Sequence, residues 1–204
     1  MQNNKTGIVL NIDGVLTNIS TYLGSEYLGR DRDEGSDIGL ADIDQTSLRL
    51  LKVLCDQVQA EVIIYSAWAV LKNTPEAWKT FFGHLVRDVP VAEVVSAADY
   101  LDSNRRPAAL AAVAAKYARI LLISDDIDET EAAYPHVRTT MRNGFQLEQL
   151  MNAATILGAT KLAGEIQERL DRIPASLGIS AVEGSNIRLR SPRTCAGTLL
   201  LRCA

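Results

Sequence analysis

Histidine is almost missing from this chain. His84 and His136 are the only two in 204 residues, and they stand far apart, so each reads as a structural or surface residue rather than a metal ligand. Cysteine is scarce as well. Cys55, Cys195 and Cys203 make an odd count, and their spacing matches no zinc or redox motif. Cys55 falls on an apolar helical stripe and reads as core, and a reducing, cytoplasmic compartment is expected. No apolar run approaches the length of a membrane span, and Met1-Gln-Asn-Asn-Lys5 leads straight into a strand without a signal-peptide pattern. Charge of one sign is lacking too. A net charge of −4 gives no global pull toward nucleic acid or anionic membrane, although a local basic patch remains compatible with it. No internal repeat or low-complexity segment stands out.

What is present suits a soluble globular domain. Hydrophobic residues make up 47% and charged residues 23% of the chain, enough for one good core or one domain with an appendage. Strand and helix signals alternate. Short apolar runs at Ile8-Val9-Leu10, Val62-Ile63-Ile64-Tyr65 and Ile120-Leu121-Leu122-Ile123 suit strands buried on both faces, with weaker candidates at Val91 to Val95 and Val137 to Met141. Helical periodicity covers Thr46 to Gln59, with Leu51, Leu54, Cys55 and Val58 on one side and Asp44 as N-cap. It recurs over Thr74 to Leu85, with Pro75 in the first turn, and over Ala108 to Ala118, Gln146 to Leu157 and Thr160 to Ile173. The alternation predicts a doubly wound, Rossmann-like α/β fold, a parallel sheet of about five strands with helices on both faces. Residues 1–157 form the expected domain and 158–204 a C-terminal helix and tail. In that tail Ile187-Arg-Leu-Arg and Thr198-Leu-Leu-Leu read as two further strand candidates. Thr17 to Asp44 is polar and glycine-rich, and reads equally as a solvated excursion or as a flap over a site.

The strand ends carry the chemistry. The first ends in Asn11, Asp13 and Gly14, the second in Ser66, and the fourth in Asp125 and Asp126. Arg105 and Arg106 open the helix before the fourth strand. Asp13-Gly14 taken alone is also a standard turn signal. In an open parallel sheet, however, the carboxyl ends of the strands share one edge, where ligands bind at a topological switch point. Carboxylates gathered beside a phosphoryl group repel one another unless a hard cation lies between them, and magnesium takes such oxygen ligands. A serine hydroxyl and a fixed guanidinium hold phosphoryl oxygens, and a carboxyl two residues beyond a nucleophile position suits general acid–base work.

These residues resemble the motifs of the haloacid dehalogenase superfamily of aspartate-nucleophile phosphatases. The first motif, an apolar run followed by Asp-x-Asp-Gly-x-Leu, stands here as Ile-Val-Leu-Asn11-Ile-Asp13-Gly14-Val15-Leu16. The second is matched by Ser66, the third by Arg106 or Arg105, and the fourth by Asp125 and Asp126. Within the superfamily the chain is most similar to the small, nearly capless domains of "Swiss Army Knife" RNA-repair proteins. Leu50-Leu51-Lys-Val-Leu54, Ser66-Ala-Trp68 and the paired aspartates carry that likeness. The resemblance covers roughly residues 6 to 157. It implies a magnesium-dependent phosphomonoester hydrolase with no large cap, acting on a phosphorylated small molecule, a nucleotide or a nucleic-acid end. Asp13 would be its acid and base, Ser66 and Arg106 its phosphoryl ligands, and Asn11, Asp13, Asp125 and Asp126 its metal-side residues.

Two departures qualify that implication. The nucleophile position holds Asn11, and a neutral amide does not attack phosphorus as a carboxylate does. Ala69 stands where the subfamily usually carries arginine. The chain therefore reads as a phosphatase scaffold without its nucleophile, whether natural or a substrate-trapping substitution. The alternative is a catalytically dead binding or regulatory module that docks a phosphorylated ligand, or a protein partner through the helix at Thr160 to Ile173. No membrane role is expected.

Overall fold

The computed structural model describes residues 5–27 and 42–176, with side chains for 5–23 and 42–172. Five strands form one sheet: β1 (Thr6–Leu10), β2 (Ala60–Ile64), β3 (Val91–Val94), β4 (Arg119–Ser124) and β5 (His136–Arg138). Their order is β3-β2-β1-β4-β5 and every pairing is parallel. The chain builds outward from β1 to β3, then returns past β1 to lay down β4 and β5. The reversal puts a switch point between β1 and β4, the place where an open α/β sheet leaves a crevice at its carboxyl edge.

Centrality explains the sequence of β1. All five of its residues are buried. Val9 pairs with Ile63 on one side and Leu122 on the other, and the three join Tyr65, Leu110, Val113 and Ile127 in one apolar cluster. Leu110 and Val113 belong to α5 (Arg106–Ala114), so α5 covers that face. The alternate residues Ile8 and Leu10 point the other way and are equally buried, which is why the strand reads as an unbroken apolar run.

The helices follow their local signals. In α2 (Gln45–Val58), Leu48, Leu51, Leu54 and Cys55 form the buried stripe. Asp44 caps its start, accepting from the Thr46 amide at 2.8 Å and from the Ser47 hydroxyl at 2.8 Å. Thr74 caps α3 (Pro75–Gly83), which buries Trp78 and Phe82. The helix expected over 108–118 starts earlier, at Arg106, because a proline at the second position of a helix removes no intrahelical bond. Strand β5 is shorter than the expected Val137 to Met141. Helix α6 (Leu147–Ile156) and α7 (Thr160–Ser176) stand where periodicity put them.

Two helices were illegible. α1 (Ile19–Tyr27) lies in the stretch read as polar loop, and α4 (Ala97–Leu101) follows β3. Both are short, and α4 buries no residue completely, so neither writes a strong apolar stripe into the sequence. The remainder of the flap candidate, 28–41, and the two tail strand candidates lie outside the described residues. The chain divides into two compact units, Met1–Arg169 and Leu170–Ala204. Within the first, Leu162 and Ile166 of α7 are buried. Of the second, only the end of α7 is described.

Among the described residues no helix is long and apolar enough to cross a membrane.

Candidate functional site

The site begins where β1 and β4 end side by side. Asn11 continues β1's pairing through its amide, which donates to the Ile123 carbonyl at 3.0 Å. The residue is 4% exposed, and its side-chain amide is engaged at both ends. Its Oδ1 accepts from the Ile12 amide at 2.8 Å, and its Nδ2 donates to Asp125 Oδ1 at 3.0 Å and, more weakly, to Ser124 Oγ at 3.4 Å. These partners fix the amide's orientation. Turning it over would set an NH2 group against the Ile12 N–H, donor on donor.

Asp125 is half-buried, and burial pushes its carboxyl above the ordinary carboxylate range. The Asn11 hydrogen bond pulls the other way, while the charges of Asp13 and Asp126 add to the rise. Gly14 is part of this contact. It adopts φ +65°, and a Cβ placed there would sit 2.3 Å from the Asp125 carboxyl carbon. The glycine after Asp13 is thus required twice, by its backbone and by the carboxylate packed against it.

Asp13 is held from the other side. Its Oδ1 accepts from the indole Nε1 of Trp68 at 3.0 Å and from Thr17 Oγ1 at 3.3 Å. Its Oδ2 has no hydrogen-bond partner among the described residues. Trp68 is delivered by the short 3-10 turn Ala67–Val70 that follows β2, and Ser66 caps that turn, its Oγ accepting from the Trp68 amide at 3.4 Å. Ser66 is fully buried, and its hydroxyl proton has no acceptor among the described residues. The Tyr65 amide donates to the Leu10 carbonyl at 2.8 Å, keeping the ends of β1 and β2 in register as they leave the sheet.

The two arginines separate. Arg105 is exposed and tied to Asp102 at 3.3 Å and Asp99 at 3.8 Å. Arg106 is turned inward. Its Nε donates to Glu131 Oε1 at 2.7 Å, and one Nη reaches the Asp126 carbonyl at 3.4 Å. Its guanidinium lies 4.5 Å from the Tyr100 ring centroid and 5.7 Å from that of Tyr65. Burial works against its charge, but the Glu131 bond and charge and the tyrosines outweigh that and raise its pKa. Arg106 makes no hydrogen bond to Asn11, Asp13 or Asp125. The Asp126 side chain is exposed, and its backbone is stitched to Ser124 Oγ.

The structure therefore joins Asn11 to Asp125, and Asp13 through Trp68 to the turn that Ser66 caps, along the carboxyl edge of three adjacent strands. Asp126 acts on Asp125 through its charge, and Arg106 reaches the same loop through the Asp126 backbone. Arg105 is spent on α4 and its flank. Thr17, Trp68, Ser124 and Glu131 complete the network. Trp68 was visible in the Ser-x-Trp pattern, whereas nothing distinguished Glu131 from the neighbouring acids of the run Asp125 to Glu131. A separate polar pocket of about 490 Å³ is lined by Asn18, Thr21, Asp44, Arg142 and Gln146 and shares no residue with this network.

The donor set does not suit a divalent cation as it stands. An N–H, not an oxygen, faces Asp125 from position 11, and among the described residues no three acidic, histidine or cysteine side chains are gathered as a metal group. What the arrangement offers is a half-shielded carboxylate pair, an unspent buried hydroxyl and a guanidinium held near the same edge. Comparison of the chain with protein-family models, curated proteins and solved structures finds no match.

Proposed function

We propose that this chain is a phosphoryl-binding scaffold of the haloacid dehalogenase type whose hydrolytic step is disabled by Asn11. The observation that carries the reading is the hydrogen-bonded link Asn11–Asp125 at the β1/β4 switch point, with Asp13 fixed beside it by Trp68. In the form bearing aspartate at position 11, that carboxylate attacks phosphorus. Asp13 protonates the leaving oxygen and later takes the proton of the attacking water, a role supported by its Oδ2 making no hydrogen bond among the described residues. Ser66 donates its unspent O–H to a phosphoryl oxygen, and Arg106 supplies the fixed positive charge. In that form Asp125, Asp126 and the position-11 carboxylate would hold magnesium, which would offset the repulsion between these carboxylates and a phosphoryl group. The substrate class is a phosphomonoester: a phosphorylated small molecule, a nucleotide or a nucleic-acid end.

A second reading, a module that binds a phosphorylated ligand without turning it over, is favoured for the chain as written by the engaged Asn11 amide. One assay separates the two. This chain and Asn11→Asp are compared with magnesium on aryl phosphates, nucleotides and oligonucleotides bearing 3′- or 5′-phosphate. Turnover confined to Asn11→Asp supports the disabled hydrolase. Absence of turnover in both, with phosphate binding kept, supports the binding module. Absence of both turnover and binding overturns the proposal.

A further inference from the structure

Glu131 is the most deeply buried acid in the described chain, with a side chain 1% exposed. It divides its two oxygens. Oε1 accepts from Arg106 Nε at 2.7 Å, and Oε2 accepts from the Asp128 amide at 3.3 Å. Asp128 returns the bond, its Oδ1 accepting from the Glu131 amide at 2.8 Å. Glu131 is thereby locked to the loop that follows β4, and that loop begins with Asp125 and Asp126. Arg106 belongs to another element, the first turn of α5, and its side chain is 16% exposed. Tyr100 stacks on the guanidinium at 4.5 Å, and the Tyr65 hydroxyl donates to the Arg106 carbonyl at 3.1 Å. Backbone, ring face and Nε are all fixed. Nη2 is spent on the Asp126 carbonyl at 3.4 Å, the Tyr65 hydroxyl lies beside the guanidinium, and Nη1 makes no direct hydrogen bond to a described residue.

We propose that Glu131 is a positioning residue: it fixes the direction in which Arg106 presents its Nη1 to a phosphoryl oxygen at the strand ends. This rests on the phosphoryl-binding reading above. A single-contact bond to Nε suits the task, because a bidentate carboxylate would occupy a terminal nitrogen as well. A buried acid beside an anion site is otherwise a liability, since its charge repels the ligand. The geometry offsets that cost by removing the rotamer freedom of an arginine, which otherwise must be frozen at the moment of binding.

The opposing effects give the test its sign. Glu131→Gln removes a negative charge, so a residue with a purely structural or electrostatic role leaves orthophosphate binding unchanged or tighter. A positioning residue weakens it. Glutamine has one oxygen for two donors, so either the Arg106 or the Asp128 bond is lost. Orthophosphate affinity is measured by phosphorus NMR on the full chain, Glu131→Gln, Arg106→Gln and the double variant, with folding checked by circular dichroism. Positioning predicts binding about tenfold weaker in Glu131→Gln, the equivalent of one charge-assisted hydrogen bond. It also predicts no further loss when Glu131→Gln is added to Arg106→Gln. If Glu131→Gln does not fold, Glu131→Asp keeps the charge but shortens the reach, and the same weakening is expected. Binding by Glu131→Gln as tight as the parent's, or an equal loss in the Arg106→Gln background, overturns the inference and leaves the phosphoryl site standing. No orthophosphate binding by the parent overturns both together.

Discussion

Replacing Asn11 by aspartate changes one group, the NH2 that donates to Asp125 Oδ1 at 3.0 Å, into an oxygen. The Oδ1 that accepts from the Ile12 amide is retained, so the new carboxylate is held in the same place. Two carboxylate oxygens at that separation repel by about 1.4 kcal/mol at the dielectric of water and about 5.5 kcal/mol at an effective dielectric of about 20. Protonation limits the upper figure. Neutralising an ordinary aspartate at pH 7 costs about 4 kcal/mol, and a close pair of carboxylates then titrates as a unit sharing one proton. Asn11→Asp without metal is therefore expected to lose about 2–4 kcal/mol, or roughly 5–15 °C in Tm for a chain of this size. The sign against pH follows. A carboxyl whose folded pKa is raised stabilises the fold below its unfolded value and loses that contribution as pH rises through the folded value. The deficit should thus shrink from pH 7 to pH 5. Magnesium at about a hundred times its Kd should return about 2.7 kcal/mol to the variant and little to the parent. Urea unfolding of both chains, with and without magnesium at both pH values, measures all three effects. A variant as stable as the parent in metal-free buffer at pH 7, or equal stabilisation of both chains by magnesium, refutes the reasoning.

Three further perturbations probe the same edge. Gly14→Ala must relieve both a left-handed backbone and a Cβ 2.3 Å from the Asp125 carboxyl carbon, so a loss of about 1–3 kcal/mol is expected in denaturant unfolding. A variant within experimental error of the parent would show that Asp125 does not pack there. Trp68→Phe keeps most of the ring but removes the Nε1–H that Asp13 accepts, so about 1–3 kcal/mol of stability should go. Thr17→Val should not add its full cost to the same variant, because the two donors share one oxygen. Asp125→Asn removes a carboxyl whose pKa is raised above its ordinary 3.8. The parent's stability should fall as pH climbs from that value through the raised one, and the Asn variant should lack this fall. Identical pH profiles would contradict the burial argument.

The sequence was most informative where one physical demand dominated. β1, β2 and β4 are buried on both faces, so Ile8-Val9-Leu10, Val62-Ile63-Ile64 and Ile120 to Ile123 had to be apolar throughout and could be read directly. The cap at Asp44 and the proline at 75 marked helix starts for equally local reasons. α1 and α4 were missed because helices of nine and five residues carry little apolar periodicity. The site divided along the same line. That Asn11, Asp13, Ser66 and Asp125 lie along one edge was legible because strand ends in a parallel sheet share an edge by topology, whereas the outward turn of the Asp126 side chain was not. Glu131 was not, because its pairing with Arg106 joins residues 25 apart through tertiary packing alone. Nor did the sequence reveal that Asn11 spends its oxygen on the next residue's amide, a choice that depends on backbone direction beyond the strand end.

The most direct measurement of the central claim is a titration of the isotope-labelled chain with orthophosphate, read in proton–nitrogen spectra. One phosphoryl site at the carboxyl edge predicts that the Asn11 side-chain NH2, the Trp68 indole N–H and the backbone amides of Gly14 and Ala67 shift together with a single affinity. Shifts confined to the pocket around Arg142 and Gln146, with the Asn11 and Trp68 signals unmoved, would contradict it.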